Sequence, residues 1–234
     1  MLIKGLQKTT LIDYPGKVAC TVFLGGCNFR CPWCYSAELV IPEKMEDLPD
    51  IKEEEFFEFL QRRKGKLDGV VVCGGEPTVQ RGLSEFLKRI KEEGFLVKLD
   101  TNGSNPDILE ELLSKELLDY IAMDIKAPLD DAQYYREVTG GKADTESIKK
   151  SVDIVMNSGK KYEFRSTLVP DIHTLEKVER MARSIEGAER YFLQRFLPEK
   201  TLDEEFLRKK PFFDEEMEEF KEKANSYVKM CQVR

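Results

Sequence analysis

The sequence is poor in histidine, in long apolar runs and in net positive charge. His173 is the one histidine among 234 residues, which excludes a metal site built from several histidines. No run approaches the roughly 20 apolar residues that span a bilayer, and the N-terminus lacks the basic-then-apolar pattern of a signal peptide. A net charge of −7 does not favour binding to phosphate backbones. We therefore expect a cytoplasmic protein that binds neither membrane nor nucleic acid.

The six cysteines are too unevenly placed for a disulfide framework. Three of them lie within residues 27–34, whereas Cys20, Cys73 and Cys231 are scattered along the chain. In a domain of this size, such crowding favours a metal site over three disulfides. Hydrophobic residues make up 41% and charged residues 35% of the chain, which is typical of a globular protein with a packed core.

Short apolar runs alternate with segments of helical periodicity along most of the chain. The predicted strands are 18–24, 69–73, 95–100, 120–125, 161–169 and 190–196. Strands that alternate with helices predict a parallel sheet with right-handed crossovers. We therefore predict an α/β fold, a partial (β/α)6 barrel with a curved parallel sheet. One domain, 1–234, is expected to have its core at about 17–197 and a helical segment at about 202–231.

Three cysteines, Cys27, Cys31 and Cys34, follow the first predicted strand at spacings of four and three. A structural zinc ion needs four protein ligands, and no nearby Cys or His supplies the fourth. Three thiolates can hold a four-iron cluster and leave one iron open to a non-protein ligand. The alternative is three buried structural cysteines, although free cysteines do not usually crowd into a glycine-bounded loop. The spacing favours a [4Fe–4S] cluster.

With Trp33 directly before the last cysteine, segment 26–34 resembles the signature of the radical S-adenosylmethionine (SAM) superfamily. In that family the open iron is chelated by the amino and carboxylate groups of SAM, and one electron from the reduced cluster breaks the sulfur–C5′ bond. The resemblance implies methionine and a 5′-deoxyadenosyl radical as products. It also implies a fold of the radical SAM type and an electron donor of the flavodoxin or ferredoxin type.

A second motif, Gly74, Gly75, Glu76 and Pro77, follows the second predicted strand. Parallel barrels carry their chemistry at the carboxyl ends of the strands. Glycines there allow a ligand to approach the backbone, and the carboxylate can receive an ammonium group. A simple Gly-Pro turn is the alternative. The family resemblance implies that this motif binds the methionyl amino group of SAM.

The third and fourth predicted strands also end in polar residues, which include Asp100, Thr101, Asn102, Asp124 and Lys126. Each end is also compatible with an ordinary strand terminus. Here the chain resembles the branch of the family that activates glycyl-radical enzymes. That resemblance implies contacts of Thr101, Asn102 and Asp124 with SAM, a monovalent cation bound by Asp100, Thr101 and Asp124, and a catalytic Lys126 close to the radical and the incoming peptide.

Polar residues also occupy the last two predicted strands. Arg165 and Thr167 share one face by period-two alternation, where a central core is ordinarily apolar. The resemblance implies that Arg165 contacts the SAM carboxylate or ribose and that Gln194 contacts the ribose or adenine, with Thr167 in the same cofactor site. A solvated, outward Arg165 is the alternative. For His173 we predict a capping or surface role rather than a catalytic one.

Residues 4–17 resemble the N-terminal segment of proteins that activate anaerobic ribonucleoside-triphosphate reductase. The resemblance implies a protein substrate, because the radical would remove a hydrogen atom from one glycine of the large reductase subunit. Three alternatives stay open. The target is another glycyl-radical enzyme such as pyruvate formate-lyase, or a small molecule, as in the synthase that contracts a pterin ring toward a deazapurine. The third alternative is a non-catalytic electron-transfer or regulatory iron–sulfur protein.

Overall fold

A computed structural model describes every residue from Met1 to Arg234. One sheet contains eight strands in chain order. The strands are β1 Ile3–Thr10, β2 Ala19–Leu24, β3 Gly69–Gly74, β4 Leu96–Thr101, β5 Tyr120–Asp124, β6 Lys161–Leu168, β7 Tyr191–Arg195 and β8 Cys231–Val233. The helices are α1 Ala37–Val40, α2 Pro42–Met45, α3 Glu53–Arg62, α4 Leu83–Glu92, α5 Pro106–Ser114, α6 Ala132–Thr139, α7 Thr145–Met156, α8 Leu175–Arg183 and α9 Asp214–Asn225.

The predicted α/β class and the partial barrel are confirmed, because helices alternate with strands and the sheet stays open between its edges β1 and β8. The structure adds β1 and β8 to the six predicted strands. It also adds α6, and in the helical segment predicted at about 202–231 it has a 3-10 helix, Glu204–Arg208, before α9. No helix combines the length and apolar character that a membrane span requires.

By its internal contacts the chain divides into two compact units. The first contains residues 1–28, 38–101 and 107–121, and the second contains 29–37, 102–106 and 122–234. Each unit is described by itself below. The single-domain organisation stays a prediction.

The first unit is built on strands β1 to β4. β1 runs antiparallel to β2, whereas β2, β3 and β4 are parallel, with Ala19 opposite Gly69 and Gly69 opposite Leu96. Helix α3 buries four apolar residues at helical spacing, Phe56, Phe57, Phe59 and Leu60. The rings of Phe56 and Phe57 pack against Phe86 of α4 at 5.3 and 5.5 Å between centroids. These apolar faces fix the helices that connect the parallel strands.

The second unit contains strands β6, β7 and β8. β6 runs parallel to β7, with Thr167 opposite Gln194, and β7 runs parallel to β8, with Tyr191 opposite Cys231. The hydroxyl of Ser166 donates to the carbonyl of Ile125 at 2.6 Å and shares a 2.7 Å hydrogen bond with the hydroxyl of Tyr191. Because these polar groups satisfy each other, β6 can be buried without an unpaired hydroxyl at this position.

Candidate functional site

In the first unit, the glycine motif packs on the backbone immediately before Cys27. The N–H of Gly75 donates to the carbonyl of Leu24, and the N–H of Glu76 donates to the carbonyl of Gly26, both at 2.8 Å. A Cβ at residue 75 would lie 2.1 Å from the oxygen of Gly26. Only glycine therefore fits at position 75, and the motif fixes the path of the chain into the cysteine loop.

Glu76 is buried, with 1% of its surface exposed. Its Oε1 atom accepts hydrogen bonds from the N–H of Thr78 at 3.1 Å, the hydroxyl of Thr78 at 2.5 Å and the hydroxyl of Thr101 at 2.7 Å. Three donors on one oxygen offset much of the penalty for burying a carboxylate. The structure thus places two predicted site residues, Glu76 and Thr101, in direct contact.

Asp100, at the end of β4, forms a buried ion pair with Lys98. Lys98 is 1% exposed, and its ammonium lies 5.8 Å from the centre of the Tyr120 ring. Sequence reasoning missed this lysine. The signal was present, because residues two apart on a strand share a face, so that the inward Asp100 implied an inward Lys98.

In the second unit, Asp124 lies between two basic side chains. Its Oδ2 accepts from Nζ of Lys126 at 2.8 Å, and its Oδ1 accepts from Nε of Arg165 at 2.9 Å. Burial alone would raise the pKa of Asp124, but the charges of Arg165 and Lys126 outweigh it and lower the pKa to about 2. Asp124 is therefore ionised at any pH at which the protein works.

The pKa of Lys126 is also affected by a residue of the cysteine loop. Burial opposes its charged form, but the negative charges of Asp124 and then of Cys31 outweigh that effect and raise the pKa of Lys126 above its ordinary value. The structure therefore brings three predicted site residues, Asp124, Lys126 and Arg165, into one hydrogen-bonded chain and places the charge of Cys31 within its reach. For Asp100 and Asp124, a side-chain cation is already a partner, and a bound monovalent cation stays a prediction.

The cysteine loop of the second unit is held by backbone contacts. The N–H of Arg30 donates to the carbonyl of Thr139 at 2.8 Å, and the N–H of Cys34 donates to the carbonyl of Cys31 at 3.0 Å. Trp33 is buried, and its ring meets the ring of His173 edge to face, with 6.0 Å between centroids. Trp33 therefore anchors the loop in the core rather than facing solvent.

His173 does not lie at the surface, one of the two roles predicted for it. It is 2% exposed, and its Nδ1 atom accepts the N–H of Val169 at 2.9 Å, a local capping contact that agrees with the other role. Its Nε2 atom lies 3.0 Å from the carbonyl of Lys126. Burial lowers the pKa of His173 to about 4. The ring is thus neutral, with Nε2 as the donor to Lys126.

Thr167 and Gln194 line a cavity of about 500 Å³ in the second unit. Tyr35, just after the cysteine loop, also lines it, and its ring stacks on Phe196 at 6.0 Å between centroids. The remaining lining residues are Arg195, Leu197, Glu199, Lys200 and Arg234.

Asn102 is buried and uses its Oδ1 atom to accept the N–H of Ser104 at 2.9 Å, so it shapes the turn after β4.

The residues present fit a cluster and SAM by the chemistry of their donors. None of the six cysteines is in a disulfide, so Cys27, Cys31 and Cys34 can act as thiolate ligands. No group of three or more His, Cys, Asp or Glu side chains is arranged around a single metal ion. Thiolates that hold a four-iron cluster stand farther apart than the ligands of one ion. The buried carboxylate of Glu76 suits an ammonium group.

Comparisons with known proteins agree with this arrangement. The model of the Radical SAM superfamily matches residues 21–185. A protein of Methanocaldococcus jannaschii, provisionally named a glycyl-radical enzyme activating enzyme, is 33% identical over 100% of this chain and 95% of its own length. The 7-carboxy-7-deazaguanine synthase of Methanopyrus kandleri is 31% identical over 49% of this chain and 52% of its own length.

Solved structures show the same fold at low sequence identity. Streptococcus suis SuiB superposes with a TM-score of 0.62 and 15% identity, over 90% of this chain and 47% of the SuiB chain. The family model covers well over half of the chain and includes all three loop cysteines and the Gly74–Pro77 motif. From its motifs, its fold and these matches, the chain belongs to the radical SAM superfamily.

Proposed function

We propose that this radical SAM enzyme cleaves SAM reductively and uses the resulting radical to activate a glycyl-radical enzyme, the large subunit of anaerobic ribonucleoside-triphosphate reductase. The observation that carries the proposal is the match along the whole chain to a protein provisionally named a glycyl-radical enzyme activating enzyme. The resemblance of residues 4–17 to activators of that reductase supports this target.

The residues have separate parts in this proposal. Cys27, Cys31 and Cys34 hold the [4Fe–4S] cluster, which when bound supplies the electron that breaks the sulfur–C5′ bond of SAM. Glu76 receives the methionyl ammonium group at the end of β3, where Thr78 and Thr101 already fix its carboxylate. A carboxylate that is held before the ligand arrives loses little side-chain entropy on binding.

Further residues have proposed roles in binding SAM and the substrate. Arg165 contacts the carboxylate or ribose, and Thr167 and Gln194 contact the ribose or adenine from the walls of the cavity that they share. Lys126 lies close to the radical and the incoming peptide. A hydrogen atom passes from Cα of the substrate glycine to C5′, which leaves one unpaired electron on the glycine and releases 5′-deoxyadenosine.

An open sheet supports a protein substrate. The strands run in order from β1 to β8 without closing, and an open barrel can admit a glycine loop that a closed barrel excludes. A flavodoxin or ferredoxin is the proposed electron donor, since the cluster must be reduced before SAM is cleaved.

The first test is anaerobic. The protein is reconstituted with iron and sulfide, reduced with dithionite and mixed with SAM, and 5′-deoxyadenosine is measured by chromatography. We expect product that depends on both reductant and SAM. No product from a protein with a full, reduced cluster would favour the electron-transfer or regulatory alternative, in which SAM need not bind.

The second test identifies the target. The reduced enzyme is mixed with SAM and either the large reductase subunit or pyruvate formate-lyase from the same organism, and a glycyl radical is sought by electron paramagnetic resonance. We expect the signal on the reductase subunit and its loss when the radical glycine is replaced by alanine. A signal only on pyruvate formate-lyase would assign the other target.

The half-length match to 7-carboxy-7-deazaguanine synthase favours a second candidate, a radical enzyme with a small-molecule substrate. That match covers 49% of the chain. Incubation of the reduced enzyme and SAM with the pterin substrate of the synthase tests it. A deazapurine product in place of a glycyl radical would decide for this candidate.

A further inference from the structure

The backbone N–H and carbonyl of Lys126 are both hydrogen-bonded to buried side chains. Its N–H donates to the hydroxyl of Tyr135 at 3.2 Å, and its carbonyl lies 3.0 Å from Nε2 of His173. Tyr135 is 0% exposed and His173 is 2% exposed. Buried hydrogen bonds of this kind restrict the peptide to one position, because breaking either leaves a polar group unpaired away from water.

Both side chains also connect to the cysteine loop. The His173 ring meets the ring of Trp33, which stands between Cys31 and Cys34. Tyr135 lies on α6, whose last residue, Thr139, accepts the N–H of Arg30 at 2.8 Å. At the next position, a Cβ on Gly140 would come within 2.5 Å of Cβ of Arg30, so helix and loop are in close contact.

The charge of Cys31 acts on this same group. It raises the pKa of both Lys126 and Tyr135, after larger effects of burial on each. The ammonium of Lys126 is directed by its 2.8 Å hydrogen bond to Asp124, which Arg165 holds from the other side. The hydrogen bond to Asp124 therefore fixes the place of the ammonium.

We infer that Tyr135 and His173 are positioning residues that fix the Lys126 peptide, and through it the Lys126 ammonium, next to the cysteine loop that would hold the cluster. A positive charge held near a cluster stabilises its reduced, more negative state and raises its midpoint potential. The role assigned to the ammonium rests on the proposal that Cys31 binds the cluster. The hydrogen bonds of Tyr135 and His173 to the Lys126 peptide do not depend on that proposal.

The hydrogen bonds of Tyr135 and His173 to the Lys126 peptide are tested by hydrogen–deuterium exchange of residues 124–128, a measurement that requires no iron. Tyr135→Phe keeps the ring and removes the acceptor of the Lys126 N–H, so we expect exchange there to become about tenfold faster, the effect of losing one buried hydrogen bond. Tyr162→Phe is the matched control. Its hydroxyl also accepts a backbone N–H, from Glu189 at 3.1 Å, and its loss should leave exchange at 124–128 unchanged.

His173→Phe is the second arm. It keeps an aromatic ring against Trp33 but removes both ring nitrogens, so we expect faster exchange at Val169, whose N–H loses its acceptor, as well as in the 124–128 peptide. If exchange at 124–128 is the same as in the wild type for both Tyr135→Phe and His173→Phe, these two residues do not fix the Lys126 peptide and the inference is wrong.

The positioning role is tested by the midpoint potential of the reconstituted cluster in a double-mutant cycle with Lys126→Met. Lys126→Met removes the ammonium and should shift the potential to a more negative value. Tyr135→Phe should shift it in the same direction by a smaller amount, and should add nothing when Lys126 is already Met. A shift of equal size in both backgrounds would show that Tyr135 acts on the cluster without Lys126 and would overturn the inference.

These outcomes are distinct from failure of the proposed function. If no cluster assembles, the exchange results still decide whether Tyr135 and His173 hold the peptide. If the cluster assembles and SAM is not cleaved, the potential is still measurable.

Discussion

At the scale of single residues, the Glu76 carboxylate is held in place by hydrogen bonds within the protein, independently of any ligand. Three donors from Thr78 and Thr101 converge on Oε1, so the side chain has a fixed rotamer before any ligand arrives. A buried carboxylate that keeps its charge attracts an ammonium group more strongly than an exposed one, because water screens the exposed charge. The three hydrogen bonds therefore give the Glu76 carboxylate its orientation.

We expect Glu76→Gln to retain the cluster and to bind SAM about tenfold to a hundredfold more weakly, since a hydrogen bond to a charged group contributes about 1.5–3 kcal/mol. Iron content and SAM affinity of the reconstituted protein are the two measurements. Glu53→Gln makes the same chemical change at a half-buried glutamate that pairs with Arg89 at 3.1 Å, and should leave SAM affinity unchanged. Equal affinity of Glu76→Gln and the wild type would remove Glu76 from the SAM site.

His173 makes a separate prediction about stability and pH. Its pKa is about 4 in the folded protein and about 6.5 in an unfolded chain, so the unfolded state binds a proton first as the pH falls. Stability is therefore complete above pH 7 and decreases by about 2 kcal/mol between pH 7.5 and pH 5. His173 is the only histidine, so few other groups titrate in this window.

Urea unfolding of iron-free protein across that range measures the effect without interference from the acid lability of a cluster. His173→Gln should be less stable at pH 7.5, because the contacts to Val169 and Lys126 are altered, and its stability should vary less with pH. A pH dependence as steep in His173→Gln as in the wild type would assign the effect to other groups.

At the scale of elements, the site depends on how β2 and β3 end together. The two strands are in register up to Leu24 and Gly74, and their hydrogen bonding continues beyond the sheet, through Gly75 and Glu76, to the backbone of residues 24 and 26. The cysteine loop therefore leaves the sheet from a rigid edge. A rigid exit lowers the entropy lost when the loop closes around a ligand.

Gly75→Ala should disturb that exit, because its Cβ would lie 2.1 Å from the oxygen of Gly26. We expect a loss of about 1–3 kcal/mol in the free energy of unfolding, typical of overpacking, together with less iron bound per chain after reconstitution. Gly82→Ala is the matched control, since residue 82 has a φ of 83° but no atom within 4 Å of its Cβ position. It should lose about 1 kcal/mol from backbone strain and keep its iron. Equal iron in both variants would contradict the structural role of Gly75.

At the scale of the whole molecule, the parallel strands β2 to β5 were predictable because each is a short, mainly apolar run that ends at Gly, Asn or Asp. β1 was not, since residues 4–10 are largely polar and become a strand only by pairing with β2. Helix α6 was predictable in principle, with Asp131 as its N-cap and Gly140 as its C-cap.

The site was predictable as a set of strand ends but not as a set of contacts. Parallel strands bring their carboxyl ends to one edge, and this, together with the family resemblance, placed Glu76, Asp100 and Asp124 among the candidates. The contact of His173 with Lys126 joins residues 47 positions apart, and no local pattern encodes such a pair. Lone polar residues such as His173 acquire their role from tertiary packing, which the sequence pattern does not specify.

Binding of SAM should stabilise the molecule as a whole, because a ligand that binds only the folded state shifts the unfolding equilibrium. SAM at about 100 times its Kd adds about 2.7 kcal/mol, which raises the Tm of a chain of this size by about 5–10 °C. We expect this shift in the wild type with a cluster. Cys31→Ala should show neither the absorbance of a four-iron cluster nor the SAM-dependent shift, since the open iron is the proposed anchor for SAM.

Cys20→Ala is the control for the loss of a buried thiol. Cys20 lies in β2 with 0% of its surface exposed, so its substitution leaves a small cavity and lowers the Tm without touching the proposed ligands. Cys20→Ala should therefore keep the iron and the full SAM-dependent shift, measured from its own lower Tm. A four-iron absorbance retained in Cys31→Ala would remove Cys31 as a ligand, whereas a SAM-dependent shift without that absorbance would mean that SAM binds without the cluster and that the open iron is not its anchor.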